Sequence, residues 1–192
     1  MTQNPKNKGG QWERDFCRLL SLWWSKGKDK DIFWRTASSG GMATINTNLP
    51  TQVGDVTYMK PEGQLLIDSF VFELKHYTYK GLDFLPLLDC KGNIFEWWVK
   101  LCEEAKQYNK IPFLVVKVSH RGVYILVDNE FLIVCGIEKG KELYKLNTLE
   151  LFTPYFLNIN IPSFTMFNLD QFLNVFVDNP ELIVPPHIRE KI

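Results

Sequence analysis

An α/β domain is the class this sequence predicts, and three observations carry it. Apolar residues recur at helical spacing over Gln11 to Ser25 and again over Ile94 to Asn109. Runs rich in β-branched and aromatic residues, Phe70 to Tyr77 and Ile111 to Val118, read as strands. Helical and strand patterns succeed one another along the chain with no linker long or biased enough to divide it.

At 192 residues the chain fits one domain, or one domain with an appendage, and buries a substantial core. Hydrophobic content of 45% and charged content of 23% exclude wholesale disorder. The 22 basic residues balance the 22 acidic ones, so any nucleic-acid surface must be local. The 4 cysteines, Cys17, Cys90, Cys102 and Cys135, form no Cys-x-x-Cys pair and have no histidine at ligand spacing. They read as free thiols of a reducing compartment rather than a zinc site. With no secretory signal pattern and no apolar run of membrane-spanning length, a cytoplasmic protein is expected, in a bacterial or phage-infected cell.

Met1 to Gly10 is polar and Gly-ended, and reads as a mobile arm. The first helix follows, with Trp12, Phe16, Leu19, Leu20 and Trp23 on one stripe. Glu13 falls in its first turn, where a carboxylate complements the positive helix end or serves a site beyond it. Lys26 to Asp31 is a solvated loop, and a strand near Ile32 to Arg35 leads into Thr36-Ala37-Ser38-Ser39-Gly40-Gly41. Small hydroxyl and glycine residues admit an anion to the backbone, and Arg35 adds a forked donor; a plain turn is the other reading. Thr44 to Gln52 reads as a loop that orders on binding.

Gly54 to Tyr77 is expected to form a β-hairpin, its first strand ending near Lys60 at the Pro61-Glu62-Gly63 turn. Alternation sends Phe70, Phe72 and Leu74 to one face and Val71, Glu73 and Lys75 to the other. Glu73 inside an apolar strand needs a partner, which Lys75 supplies in part. With Asp55 it could complete a hard-cation site of the kind Mg²⁺ takes, Lys75 lying beside the metal-bound water; an ordinary surface hairpin with a Glu-Lys pair is the alternative.

Pro86 and Gly92 break the segment from Thr78 to Asn93. The second helix sets Phe95, Trp98, Leu101, Cys102 and Ala105 against Glu103, Glu104 and Lys106, and its Trp97-Trp98 pair reads as core or interface. Strands at Gly122 to Val127 and Phe131 to Val134 follow, joined by an Asp128-Asn129-Glu130 turn. Beyond Gly136, Leu143 to Phe152 holds a strand or short helix, Phe156 to Ile161 a strand, Leu169 to Val177 a short helix, and Val184 to His187 is irregular.

Gly54-Asp55 followed by Glu73-Leu74-Lys75 resembles the PD-(D/E)XK nuclease superfamily. With Lys8-Gly9 ahead of Glu13-Arg14, Arg35 to Ser39, and Ile111 to Lys117, the resemblance is closest to archaeal Holliday-junction resolvases and similar phage endonucleases, across about two-thirds of the chain. It implies a restriction-endonuclease-like mixed central sheet flanked by helices. The implied activity is metal-dependent endonucleolytic cleavage of DNA, of branched DNA by preference. Asp55, Glu73 and the Leu74 carbonyl would surround Mg²⁺, which Mn²⁺ could replace, with Glu13 joining through metal or water. Lys75 would position or activate the water; Arg14, Arg35, Ser38 and Ser39 would face the DNA backbone, and Lys117 the edge of the cleft. A resolvase that cuts symmetrically implies a homodimer.

Two alternatives stay open: a nuclease of linear duplex in restriction or genome processing, and a non-cleaving DNA-binding or assembly protein. The chain departs from the small archaeal enzymes in the longer loop between Ser39 and Asp55 and in the tail after Gly136. Residues 1–136 are expected to form the nuclease core and residues 137–192 an extension packed on the same domain. His76, on the strand face opposite Glu73, is expected to be structural.

Overall fold

The computed structural model describes residues 5–36, 53–78, 86, 91–134, 149–151 and 164–189. Helix α1 spans Pro5–Trp24, so the expected arm from Met1 to Gly10 is helical from Pro5 onward. Proline suits a first turn, since its missing N–H has no intrahelical partner there and its φ is already helical. One consequence is that Glu13 lies in the third turn rather than the first, away from the positive helix end. Trp12, Phe16, Cys17 and Leu20 form the buried stripe.

The expected hairpin does not form. Strand β1 (Phe33–Arg35) pairs antiparallel with β2 (Val56–Tyr58), Trp34 opposite Thr57, in a sheet of their own. After β2 the Pro61–Gly63 turn is 3₁₀, and it runs into helix α2 (Gln64–Ser69) before strand β3 (Phe70–Tyr77) begins. The reason is the apolar pair Leu66 and Ile67, which a hairpin loop would leave wet and which α2 buries. Lys110 donates to the Ile67 carbonyl at 2.7 Å, satisfying an acceptor in the last turn of α2.

Helix α3 (Gly92–Gln107) crosses from β3 to strand β4 (Ile111–Val118), which pairs parallel to β3 with Glu73 opposite Leu114 and His76 opposite Lys117. Strand β5 (Gly122–Asp128) returns antiparallel. The expected strand at Phe131 to Val134 is instead part of helix α4 (Asn129–Val134), because a four-residue apolar run carries no period that separates the two. Strand β6 (Leu149–Leu151) falls within the segment expected to hold a strand or short helix. Strand β7 (Phe164–Asn168), not foreseen, pairs antiparallel with both β5 and β6. Phe164 to Phe167 is buried on both sides, so the alternation that marks a half-buried strand is missing. Helix α5 (Leu169–Val175) follows, capped by Asn168 Oδ1, which accepts from the N–H groups of Asp170 and Gln171. A 3₁₀ turn at Pro180–Ile183 and the one-turn helix α6 (Pro186–Arg189) replace the irregular end. The strand expected at Phe156 to Ile161 lies outside the described residues.

The five-stranded sheet runs β3-β4-β5-β7-β6 and is mixed, with helices on both faces: the expected restriction-endonuclease-like architecture. One face packs Phe70, Phe72, Phe113 and Phe167 beneath α1 and α5; the other packs Val71, Leu114 and Leu126 beneath Trp98 and Leu101 of α3. Strand β3 is an edge of this sheet, and its free edge sets the position of everything described next.

Candidate active site at the free edge of β3

An edge strand leaves backbone groups that need partners. On β3 the segment entering β2 supplies them: the Asp55 N–H donates to the Phe72 carbonyl at 2.7 Å, and the Leu74 N–H donates to Asp55 Oδ2 at 2.7 Å. Asp55 thus reaches the edge although β2 belongs to the other sheet. Gly54 makes the approach possible. Its φ of +78° suits glycine, and a Cβ there would lie 2.6 Å from the Phe72 carbonyl oxygen. Thr36 closes the joint, its hydroxyl donating to the Gly54 carbonyl at 2.8 Å and its N–H to the Asp55 carbonyl at 3.1 Å. Since N–H and C=O of one strand residue share an edge, the Leu74 carbonyl opens toward Asp55 too.

Glu73 and Lys75 lie on the α3 face of β3, as the alternation predicts, and form an ion pair with each other. The Lys75 ammonium also sits 5.6 Å from the centre of the Trp97 ring, and Trp97 packs on Tyr77 with ring centres 5.0 Å apart. Glu104, two turns after Trp97 on the same face of α3, is raised from the ordinary carboxyl range by partial burial and by Glu73. Neither Trp97 nor Glu104 was singled out as a site residue in the sequence. Their seven-residue spacing is the signal that could have paired them.

Glu13 is buried on the α1 side, and its Oε2 lies 3.2 Å from Arg35 Nε. Arg35, expected at the DNA backbone, therefore holds a buried carboxylate. The guanidinium groups of Arg35 and Arg14 both lie against Gly10, where a Cβ would come within 2.7 Å of Arg35 Nη1 and 3.7 Å of Arg14 Nη1. Arg14 is exposed and donates to Gln11 at 2.9 Å. Ser38 and Ser39 lie outside the described residues. Lys117 is on the α1 face of the sheet, its ammonium 4.7 Å above the Trp12 ring.

The charges meet at Asp55. Burial, then Glu73 and more weakly Glu13, push its carboxyl up to about 7, while the Leu74 N–H and Lys75 pull the other way. Crowded carboxylates around a backbone carbonyl make an all-oxygen donor set suited to a hard cation. Among the described residues no three His, Cys, Asp or Glu side chains are arranged to hold a metal. Cys17, beside this cluster, is pushed up to about 12 by burial and by Glu13 and Asp55, which leaves it an inert thiol. No described helix is long and apolar enough to cross a membrane.

No curated protein and no solved structure matches the chain. A family model described as "Phage putative PDDEXK endonuclease" matches residues 4–175, a span that takes in Glu13, Asp55, Glu73 and Lys75 as well as β7 and α5. The chain belongs to this phage PD-(D/E)XK endonuclease family.

Proposed function

We propose that the protein is a Mg²⁺-dependent endodeoxyribonuclease acting on branched DNA, with its active site at the free edge of β3. The observation that carries the reading is the hydrogen bond from the Leu74 N–H to Asp55 Oδ2, which joins the two separated parts of the motif. Asp55, Glu73 and the Leu74 carbonyl would hold the cation, and Glu13 would join through the cation or a water. Mg²⁺ fits because it takes one or two carboxylates and leaves the rest of its shell to water and phosphate; Mn²⁺ would substitute. When bound, it would acidify the attacking water and offset charge growing on the phosphate oxygens.

The chain's own groups do the rest. Lys75, held between Glu73 and the Trp97 ring, directs an ammonium at the water and the phosphate oxygens. Arg14 would contact the DNA backbone, a role the resemblance also gives to Ser38 and Ser39, while Arg35 holds Glu13. A homodimer in the cytoplasm of an infected cell would place two such sites on a symmetric junction.

The test is cleavage by the full chain of a four-way junction, a linear duplex and a single strand, with Mg²⁺, Mn²⁺ or EDTA. Junction cutting that needs the cation and is lost in Asp55→Asn and Lys75→Ala is the expected result. Cutting that survives both substitutions overturns the site. Preference for linear duplex points to genome processing, and binding without cleavage to a non-cleaving module. Light scattering that shows a monomer even on junction DNA removes the dimer.

A further inference from the structure

The 6 tryptophans of the chain differ in what covers them. Trp12 and Trp98 are buried in the core, Trp23 and Trp24 donate their N–H groups to the carbonyls of Leu173 at 2.9 Å and Glu62 at 2.8 Å, and Trp97 packs on Tyr77. Trp34, on β1, is left 44% exposed. A ring of that size in water forgoes burial that the other tryptophans obtain at least in part.

Strand register says where the ring stands. Trp34 lies opposite Thr57, and the 3.1 Å bond from the Thr36 N–H to the Asp55 carbonyl carries the same pairing past Arg35, so that Thr36 lies opposite Asp55. Alternation then sets Trp34, Thr36, Asp55 and Thr57 on one face of the β1–β2 ribbon. Phe33 and Arg35 take the other face, where they meet Trp24 and Glu13 of α1. Trp34 is thus the diagonal neighbour of Asp55, about 7–8 Å away, a separation that an aromatic side chain spans. Met59, two residues beyond Thr57 and 66% exposed, continues this apolar face away from Asp55, its N–H donating to the Ile32 carbonyl at 2.7 Å.

The mount is rigid. Phe33 is fully buried, edge-on to Trp24 with ring centres 6.3 Å apart, and its N–H donates to the Ser21 hydroxyl at 2.9 Å. On the other side of Trp34 the Thr36 hydroxyl is tied to the Gly54 carbonyl. An exposed indole on a fixed backbone beside a cluster of carboxylates is preorganised for a flat ligand.

We propose that Trp34 is a base-stacking face that gives the site its preference for branched DNA, taking the face of a base left unstacked beside the scissile phosphate. The inference rests on the nuclease reading above and adds to it the element that tells DNA structures apart. The ring carries no charge, so it suits a base rather than a phosphate. Inside a continuous duplex both faces of each base are covered by its neighbours, and the indole finds nothing to stack on. At a branch point or in a single strand a base face is free. Every base has such a face, so the contact selects structure and not sequence.

The experiment is equilibrium binding of the full chain, carrying Lys75→Ala to suppress cleavage, to a four-way junction, a single strand and a linear duplex. Trp34→Thr removes the ring and keeps a strand-forming residue. It should weaken junction and single-strand binding about tenfold and leave duplex binding unchanged. Trp34→Phe should restore most of the loss, and Val177→Ser, at an exposed apolar position after α5, should change nothing. A fluorescent adenine analogue at the branch point should be quenched by the protein that retains Trp34 and not by Trp34→Thr. Equal melting midpoints exclude a folding defect.

Equal loss on all three DNAs, or loss on none, overturns the stacking face. So does a dimer that becomes a monomer in Trp34→Thr, which assigns the ring to contact between copies. If the wild-type chain cleaves in Mg²⁺ while Trp34→Thr shows no selective loss, only the stacking face falls. If selectivity follows Trp34 and the wild-type chain never cleaves, the nuclease reading falls and the stacking face stands. If the chain binds no DNA, both fall.

Discussion

The Leu74 N–H donates to Asp55 Oδ2 at 2.7 Å, joining a residue ahead of a two-stranded sheet to the edge strand of another. This bond places a half-buried carboxyl beside Glu73, and burial together with Glu73 pushes it up to about 7. The position that builds the site therefore disfavours its charge through burial and Glu73, even though the bond itself favours the ionised carboxyl.

A pH-dependent instability follows for the metal-free protein. The folded carboxyl is raised above its unfolded value of 3.8, so its ionisation penalty is absent below about pH 4, grows as pH rises, and is complete above about 7. Asp55→Asn can still accept the Leu74 N–H and carries no such penalty. In EDTA its melting midpoint should exceed that of wild type at pH 8 and match it closely at pH 4. Mg²⁺ should raise the wild-type midpoint at pH 8 and leave that of the variant nearly unchanged.

Gly54→Ala tests the approach of Asp55 to β3. A Cβ 2.6 Å from a backbone carbonyl cannot be accommodated by rotating a side chain, and a φ of +78° adds strain. A loss of roughly 1–3 kcal/mol in denaturant unfolding is expected. Cleavage measured where the variant is still folded should fall as well, since Asp55 moves with the joint. Full activity at wild-type stability would disprove this role.

Glu13 and Arg35 should be coupled. Arg35→Ala leaves a buried carboxylate without its cation and should cost more than Glu13→Gln, by about 1–3 kcal/mol, with a double-mutant coupling of similar size. Additive single effects in urea unfolding would show that the pair contributes little. Gly10→Ala should reduce the coupling, because its Cβ displaces the Arg35 guanidinium.

Trp97→Ala should reduce the cleavage rate at saturating DNA by on the order of tenfold, since an aromatic face 5.6 Å from the Lys75 ammonium restricts where that charge sits. Trp97→Phe, which keeps a ring, should recover most of the loss. If both variants lose the same activity, packing against Tyr77 rather than the cation is what Trp97 supplies.

Much of this architecture was legible locally. Phe72 and Leu74 turn inward beneath α1 while Glu73 and Lys75 turn toward α3, as strict alternation demands. The stripe of α1 and the buried run of β4 were equally plain. The partner of β2 was not, because Gly54 to Lys60 reads the same whether β2 pairs with β3, as the expected hairpin had it, or with β1, as it does. The strand Phe164 to Asn168 escaped because burial on both sides erases alternation, and Phe131 to Val134 because four apolar residues suit helix and strand alike.

By itself the sequence determined which residue types face which side of each strand and helix, because these depend on backbone periods of two and 3.6 residues, and it carried the resemblance of Asp55, Glu73 and Lys75 to a nuclease motif. Tertiary structure alone decided that Asp55 reaches Leu74 across two sheets, that Arg35 holds Glu13, and that Trp97 and Trp12 lie under Lys75 and Lys117. Those contacts join residues between 19 and 105 positions apart, or across helix and strand, where no local period relates them. The first of them exists because β3 is left at a sheet edge, whose unpaired backbone must be met by whatever the chain folds against it.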